Sequence, residues 1–297
     1  MKASRIVFFG TEEFSAPTLH ALIEAGYDIA CVITKPDSVR GRGHNVDSPT
    51  VAKIATSHNI EVLQPQKLSD THDRLASFAA TAGVLVSYGK IIPESIIELF
   101  PSGIINLHPS LLPQYRGPSP IETAILNGDT KIGLTLMSLV KAMDAGPIYY
   151  QEKFALSSTE TKPELYEVLS RRGAELMVEK LPAILDRTLQ SQPQDDSLAT
   201  YCQLIDRRTD GRIDPSTMTA VECERRVRAY LGWPKTRLDY LDTEIIVTKA
   251  RVLDSYQGDD WPDVIKCRDN TYLQIVALIA PSGRQMKTAD YLRGIKS

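Results

Sequence analysis

Three polar side chains in the central part of the chain have types and spacings that suit group-transfer chemistry. Asn106 and His108 stand at the end of an apolar run over residues 103–107, which predicts a buried strand. Because side chains alternate along a strand, we expect Asn106 and His108 on the same side of it. Asp144 follows the next predicted strand, in a glycine-containing loop. We therefore expect the three side chains to share one pocket.

An amide, an imidazole and a carboxylate can together carry out an acyl-type transfer without a nucleophile from the protein. Asn106 would donate a hydrogen bond to an oxyanion. His108 would move a proton or stabilise developing charge, and Asp144 would orient the imidazole. A purely structural histidine at a strand end is the alternative interpretation of His108, and the residues alone leave it open.

Other kinds of site are poorly supported. No G-x-S-x-G motif accompanies Ser110 and no H-E-x-x-H pair is present, which disfavours a serine hydrolase and a zinc protease. The four cysteines are far apart and form no C-x-x-C pair, so neither structural zinc nor a disulfide framework is indicated. We expect no metal site.

The first two thirds of the chain predict a mostly parallel sheet. Residues 5–10 and 29–34 are β-like runs separated by a helical pattern, and strands and helices then alternate as far as a long helix over residues 162–187. A dinucleotide site is disfavoured, because the turn after the first strand has one glycine where G-x-G-x-x-G needs three.

Composition changes after residue 188 and predicts two domains. We expect a catalytic domain over residues 1–188, a linker over 189–206 and a small β-rich, barrel-like domain over 207–297. The last of these carries 16 Lys and Arg against 13 Asp and Glu, in a chain whose net charge is −3. No apolar run reaches about 18 residues and no signal peptide is evident, so we expect a cytoplasmic protein.

Residues 35–49 are basic and rich in glycine and proline, which predicts an irregular loop. The composition favours a solvated surface loop. The functional alternative is a basic arm that binds phosphates through Lys35, Arg40 and Arg42, since glycines beside the arginines would allow close approach to a nucleic-acid backbone.

The central motifs resemble those of the folate-dependent formyltransferases. They are Asn106-Leu-His108, Ser110-Leu-Leu-Pro113, Tyr115-Arg-Gly117 and Met143-Asp144-Ala-Gly146. The flanking motifs resemble the methionyl-tRNA formyltransferase branch of this family over nearly the whole chain. They include Phe9-Gly-Thr11, Lys35-Pro-Asp37, Gly41-Arg-Gly43, Tyr88-Gly89, Gln194-Asp195, Ala199-Thr-Tyr201, Gly211-Arg-Ile-Asp214 and Trp233-Pro234.

The resemblance implies an α/β fold, with a Rossmann-like formyltransferase domain followed by a C-terminal domain similar to an OB barrel. It implies transfer of the formyl group of 10-formyltetrahydrofolate to the α-amino group of methionyl initiator tRNA, in translation initiation. Catalytic roles would fall to Asn106, His108 and Asp144. The folate site would be lined by Ser110, Leu111, Leu112 and Pro113, and the tRNA would be contacted by Lys35, Arg40 and Arg42. No membrane partner is implied, and we expect a monomer.

Two alternatives stay open. One is a folate-dependent N-formyltransferase acting on a small amine such as an amino sugar nucleotide, which weak and salt-insensitive RNA binding would favour. The other is a catalytically idle RNA-binding protein, against which the intact Asn106, His108 and Asp144 set speaks. Pro109, Lys141 and Ala145 depart from the commonest family pattern and leave the shape of the acceptor pocket open.

Overall fold

The computed structural model describes residues 4–40, 45–256 and 262–295. The chain divides into two compact units. The first consists of Met1–Pro118, Ile132–Phe154 and Tyr166–Cys202, and the second of Ser119–Lys131, Ala155–Leu165 and Gln203–Ser297. Two short stretches from the middle of the chain therefore group with its C-terminal part. The domain limits at residues 188 and 207 stay a prediction.

The described residues form strands and α-helices with the following bounds. The strands are β1 (Arg5–Gly10), β2 (Asp28–Ile33), β3 (Ser38–Arg40), β4 (Asn45–Asp47), β5 (Glu61–Leu63), β6 (Ala82–Val86), β7 (Ile104–His108), β8 (Lys131–Ser138), β9 (Ile148–Ala155), β10 (Thr236–Tyr240), β11 (Thr243–Leu253), β12 (Val264–Lys266), β13 (Tyr272–Ile279) and β14 (Gln285–Lys287). The helices are α1 (Ala16–Glu24), α2 (Thr50–Ser57), α3 (His72–Ser77), α4 (Glu94–Ile97), α5 (Pro120–Asn127), α6 (Lys162–Leu185), α7 (Ala220–Ala229) and α8 (Thr288–Ile295).

The predicted mostly parallel sheet is confirmed. Its strand order is β5-β2-β1-β6-β7-β8-β9. The first five strands are parallel to one another, whereas β8 runs antiparallel to β7. Strands such as β1 are nearly continuous apolar runs, with Ile6 to Phe9 fully buried, because helices cover both faces of such a sheet.

The strand order reverses between β1 and β6, where open α/β sheets usually hold a ligand. Here the carboxyl ends of the two strands are joined directly. The Thr11 hydroxyl donates to the Tyr88 carbonyl oxygen (3.0 Å) and accepts from the Lys35 backbone N–H (3.2 Å). The reactive side chains lie instead at the end of β7, two strands away from β1.

The side chains of β7 face two different layers. Leu107 packs against Gly173 of α6, where a Cβ atom would lie 2.6 Å from a Leu107 methyl carbon. Ile104 belongs to an apolar cluster on the other face, together with Phe9 and Phe100. Because side chains alternate, Asn106 and His108 project on the face of Ile104, away from α6.

The basic segment of residues 35–49 is not an irregular loop throughout, which corrects the prediction. β3 and β4 pair in an antiparallel ribbon, with Val39 opposite Val46. The β-branched residues Val39 and Val46 favour strand pairing, but the glycines and prolines around them hide this signal in the sequence. Arg40 ends β3, and Arg42 lies outside the described residues.

The second unit contains the β-rich region that the sequence predicts. Its antiparallel sheet has the order β10-β11-β13-β12, and β14 also pairs with β13. One edge of β13 pairs with β11, and the other is shared by β12 and β14. Register irregularities around Lys249 bend β11 and increase its twist. The OB-like expectation is thus met by a curled antiparallel sheet.

Helix α7 is absent from the sequence-based expectation. Its sequence is highly charged, so the apolar stripe is reduced to residues such as Cys223 and Val227, which are buried in the core of the unit. A capping box marks its start: Thr219 accepts from the Glu222 backbone N–H, and Glu222 accepts from the Thr219 N–H. The spacing T-x-x-E was the available signal.

No helix within the described ranges is both long and apolar enough to cross a bilayer.

Candidate active site

Asn106 lies in the middle of β7, opposite Met137 of β8, and is 4% exposed. None of the described residues hydrogen-bonds to its side-chain amide. Neither of its polar atoms is among the fully buried atoms that lack a partner in the described part of the chain, so the amide keeps some access to solvent or a ligand. Its N–H groups are therefore available to a bound oxygen atom.

His108 ends β7 and is also buried. Its Nε2 lies 3.0 Å from the Tyr115 carbonyl oxygen, which can only accept, so Nε2 carries a proton. Its Nδ1 lies 3.8 Å from an Asp144 carboxylate oxygen. The imidazole is thus held on one side by a backbone carbonyl and faces a carboxylate on the other.

Asp144 reaches this place by an indirect route. β8 is antiparallel to β7, and its last residue, Ser138, pairs with Ile105 near the start of β7. Residues 139–147 then fold back, so that Asp144 approaches His108. Gly146 makes this return possible, since a Cβ atom there would lie 1.7 Å from the Ser138 carbonyl oxygen.

The Asp144 carboxylate is oriented by a backbone donor. The N–H of Gly117 donates to its Oδ2 at 2.7 Å. Gly117 has a φ of +121°, and a Cβ atom there would lie 2.4 Å from the Cys202 carbonyl oxygen. Both the conformation and the space therefore require glycine at the position that aims the N–H at Asp144.

The predicted folate-lining residues form the turn that follows β7. Ser110 is buried and donates to the Gln114 carbonyl oxygen at 2.6 Å. Thr135 donates to the Ser110 carbonyl oxygen, and Gln151 donates to that of Leu112. Leu112 is buried, while Leu111 and Pro113 are partly exposed. The polar groups of the turn thus fix its own shape, and its role in folate binding stays a prediction.

Of the predicted tRNA-contacting residues, Lys35 lies at another part of the same sheet edge, Arg40 ends β3, and Arg42 lies outside the described residues. Lys35 follows β2, and its Nζ lies 3.6 Å from a Glu12 carboxylate oxygen. The Gln64 amide donates to the Lys35 carbonyl oxygen at 3.0 Å. The structure brings Asn106, His108 and Asp144 together, and it records no contact between them and Lys35.

Arg116 and residues 194–202 hold the site in place, and we call residues 194–202 the strap. Motifs in both segments carry the family resemblance, but the sequence analysis predicts no contact between them and the site. The strap pairs with the turn after β7: Thr200 Oγ1 accepts from the Tyr115 N–H (2.9 Å), and its carbonyl oxygen accepts from the Arg116 N–H (2.9 Å). The segment expected to be a linker therefore supports the site. Contacts between residues about 80 apart leave no periodic signal in a sequence.

The arrangement suits transfer to an external nucleophile. Cys202 is the cysteine nearest to this turn, and its buried thiol is directed at the carbonyl oxygens of Tyr115 and Arg116. Among the described residues, no cluster of His, Cys, Asp and Glu has the geometry to hold a metal ion. What remains is an unpaired amide, an imidazole and a carboxylate around one space, which can stabilise an oxyanion and move a proton.

Two regions of the chain match known protein families. Residues 4–181 match the family described as formyl transferase, and residues 207–296 match the formyl transferase C-terminal domain. A methionyl-tRNA formyltransferase of Myxococcus xanthus is 36% identical over 100% of this chain and 96% of its own length. One from Staphylococcus epidermidis is 35% identical over 99% of this chain and 97% of its own.

Solved structures share the fold at low sequence identity. A sugar 3N-formyl transferase, WlaRD, determined with dTDP and 5-N-formyl-THF, has a TM-score of 0.69 and 18% identity, covering 92% of this chain and 97% of its own. HypX of Aquifex aeolicus in complex with tetrahydrofolic acid has a TM-score of 0.62 and 16% identity, covering 98% of this chain and 47% of its own.

Proposed function

Since the chain belongs to the formyl transferase family, we propose that it transfers the formyl group of 10-formyltetrahydrofolate to the α-amino group of methionyl initiator tRNA. The observation that carries this proposal is the full-length similarity: both family regions are present, and methionyl-tRNA formyltransferases align with the chain from end to end. The buried Asn106, His108 and Asp144 site supports the chemistry.

The substrate amine is the nucleophile. An α-amino group has a reference pKa of about 7.7–8.0, so part of it is neutral at cellular pH. Its nitrogen attacks the formyl carbon, the formyl oxygen becomes an oxyanion, and the bond between that carbon and N10 then breaks. The proton lost by the amine ends on N10, which yields tetrahydrofolate and the formylated amine.

The protein residues align the reactants and stabilise the tetrahedral intermediate. The unpaired Asn106 amide donates to the oxyanion, and exclusion of water by the bound substrates would strengthen that bond. His108 moves the proton from amine to folate nitrogen, held in place by the Tyr115 carbonyl oxygen and accompanied by Asp144. Alignment of amine and formyl carbon supplies much of the remaining acceleration.

The folate would lie beside β6 and β7. WlaRD was determined in the presence of 5-N-formyl-THF and HypX in complex with tetrahydrofolic acid, which supports a folate donor. Ser110, Leu111, Leu112 and Pro113 form one wall in this proposal. Ile91 after β6 and Met143 before Asp144 are exposed apolar side chains, 90% and 58% accessible, and they suit contact with a planar ring.

The tRNA would contact the basic segment of residues 35–49 and the C-terminal region over residues 207–297. Lys35, Arg40 and Arg42 are the cations of that segment proposed for this contact, and residues 207–297 carry a net charge of +3. Phosphate contacts of this kind position an RNA without reading its sequence. We place the protein in the cytosol and expect a monomer, in keeping with a single chain acting on one tRNA.

Formyl transfer to methionyl initiator tRNA is the deciding measurement, with noninitiator methionyl-tRNA and free methionine assayed in parallel. Transfer confined to the initiator supports both the reaction and the partner. Turnover of an amino sugar nucleotide, with RNA binding that is weak and insensitive to salt, would move the substrate to a small amine.

A further inference from the structure

The side chain of Gln194 connects the two halves of the candidate active site. Its Nε2 donates to the carbonyl oxygens of Asp144 (2.8 Å) and Gly146 (2.7 Å). Its Oε1 accepts from the Arg116 guanidinium, at 2.8 Å from Nη2 and 3.2 Å from Nε. The amide of Gln194 therefore donates two hydrogen bonds to one segment and accepts two from another, and the two segments are far apart in sequence.

Arg116 is a rigid anchor for this amide. It is 3% exposed, and its guanidinium also bonds to the Asp196 carboxylate at 2.6 Å. Burial alone would lower the pKa of the Arg116 guanidinium, but hydrogen bonds with Asp196 and Tyr201 raise it above its ordinary value. A charged group that is buried and bonded on several sides has little freedom to move.

Neighbouring residues therefore hold both the backbone carbonyl and the side-chain carboxylate of Asp144. Gln194, bonded to Arg116, holds its backbone, while the N–H of Gly117, the residue after Arg116, holds its carboxylate at 2.7 Å. The 3.8 Å separation between this carboxylate and His108 Nδ1 depends on both contacts. Nothing else among the described residues donates to the Asp144 carbonyl oxygen.

We propose that Gln194 is a positioning residue for formyl transfer, which fixes the loop of Asp144 against Arg116 and so sets the Asp144 carboxylate relative to His108. This inference rests on the proposed function, because formyl transfer is the reaction that is assayed. Gln194 touches neither substrate nor reacting atoms in this role. It acts through Asp144.

Replacement of Gln194 by Glu separates positioning from folding. The new carboxylate keeps the size of the side chain and can accept from Arg116 with an added charge, so the fold is retained. It cannot donate to the carbonyl oxygens of Asp144 and Gly146, which would then face another oxygen atom. The loop should shift away, and a displacement of about 1 Å at a reacting group can reduce the rate by about 100-fold.

We expect Gln194→Glu to lower kcat for formyl transfer by about 10- to 100-fold, with KM for folate and tRNA within about threefold of the wild type. The thermal midpoint should stay within about 2 °C or rise. Gln194→Met, which removes donors and acceptor without adding charge, should lower kcat by a similar factor.

The matched control is Gln192→Glu. Gln192 lies two residues away, its side chain is exposed, and only its backbone is bonded, to Ile148. This variant introduces the same charge close to the site and should retain kcat within about twofold, as surface substitutions usually do.

Three results would overturn the inference while leaving the proposed function intact, and the first two are a Gln194→Glu enzyme with wild-type kcat and an equal loss of kcat in Gln192→Glu. A loss in Gln194→Glu that appears in KM alone would also overturn it, since it would make Gln194 a binding residue. Absence of formyl transfer by the wild-type chain would refute the proposed function instead.

Discussion

At the scale of residues, the ring of His108 has an oxygen acceptor near each nitrogen. The Tyr115 carbonyl oxygen accepts from Nε2, and the Asp144 carboxylate lies 3.8 Å from Nδ1. A neutral imidazole carries one N–H, whereas the charged ring carries two. These surroundings suit a ring that gains a proton during turnover without having to rotate.

We expect His108→Ala to reduce turnover by about 10²- to 10⁴-fold, because proton transfer and charge stabilisation are both lost. Asp144→Ala should fall in the same range. Single-turnover formyl transfer with saturating substrates measures the effect. His20→Ala, which alters an exposed histidine of α1, should leave the rate within about twofold. A near-normal rate in His108→Ala would contradict the role assigned to the ring.

Gly117→Ala should destabilise the protein by more than about 2 kcal/mol, because it adds backbone strain and a collision with the Cys202 carbonyl oxygen. Its kcat should fall as well, since the N–H that aims Asp144 is displaced. Gly26→Ala is the control: Gly26 has a φ of +79° but no atom within 4 Å of a Cβ, so about 1 kcal/mol is expected. Urea denaturation compares the two, and equal losses would refute the collision.

Part of the site follows from residue patterns alone. Strand alternation predicts that Asn106 and His108 share a face, because this depends only on local geometry. Proximity of Asp144 depends on a loop that returns from the far end of an antiparallel strand, which the pattern does not encode. The contact between Gln194 and Arg116 joins residues that are 78 positions apart in the chain. Their motifs resemble those of a known family, but they do not predict this contact.

At the scale of elements, α7 is stabilised by its first turn. Thr219→Ala removes the hydroxyl that accepts from the Glu222 N–H, and such losses cost about 1 kcal/mol. Thr209→Ala, at an exposed position where no side-chain hydrogen bond is recorded, should change stability by less than about 0.5 kcal/mol. Chemical denaturation followed by circular dichroism measures both. Equal values would show that the cap contributes nothing.

The same cap predicts a dependence on pH. The N–H and hydroxyl of Thr219, and further Arg268, lower the pKa of Glu222 below its ordinary value. Its charged form therefore stabilises the fold above about pH 4.3, and this contribution is lost as pH falls through the lowered pKa. Glu222→Gln should be less stable than wild type by about 0.5 kcal/mol at pH 7, a difference kept small by solvent exposure.

The difference between Glu222→Gln and wild type should shrink as pH falls through the lowered pKa of Glu222, because the wild-type carboxyl then becomes neutral as well. Denaturation curves at pH 7, 5 and 3 test this. A constant difference across the series would mean that the charge of Glu222 plays no part.

Elements with strong apolar runs could be predicted, and charged or mixed elements could not. Strands β1, β2 and β7 begin and end within one residue of the predicted bounds, because burial on both faces makes the whole strand apolar. α7 escapes this criterion, since half of its residues are charged. The β3 and β4 ribbon escapes it because two glycines and two prolines interrupt the segment of residues 35–49.

At the scale of the whole molecule, the proposed tRNA contact predicts strong salt dependence. Each phosphate contact contributes about −0.7 to −0.9 to the slope of log K against log salt concentration. Arg42→Ala should weaken binding of methionyl initiator tRNA and reduce the slope by about one of these increments. Arg187→Ala, an exposed control in the first unit, should leave the slope unchanged. A wild-type slope near zero would contradict a phosphate-based contact.

The division into two regions is visible in the composition, but its detail is not. A change from alternating helices and strands to short β-like runs predicts a second, basic domain. Residues 119–131 and 155–165 nevertheless group with the C-terminal part. Such interleaving depends on tertiary contacts and has no counterpart in local patterns.

The strap also determines when the active site can form during synthesis of the chain. Synthesis proceeds from the N-terminus, so Asn106, His108 and Asp144 emerge from the ribosome well before residues 194–202. Until the strap follows, Tyr115 and Arg116 lack the partners provided by Thr200 and Gln194. A nascent or truncated chain that ends at residue 188 would thus contain all three reactive side chains and still lack the contacts that align them. Competence is acquired only once residue 202 is free to fold back.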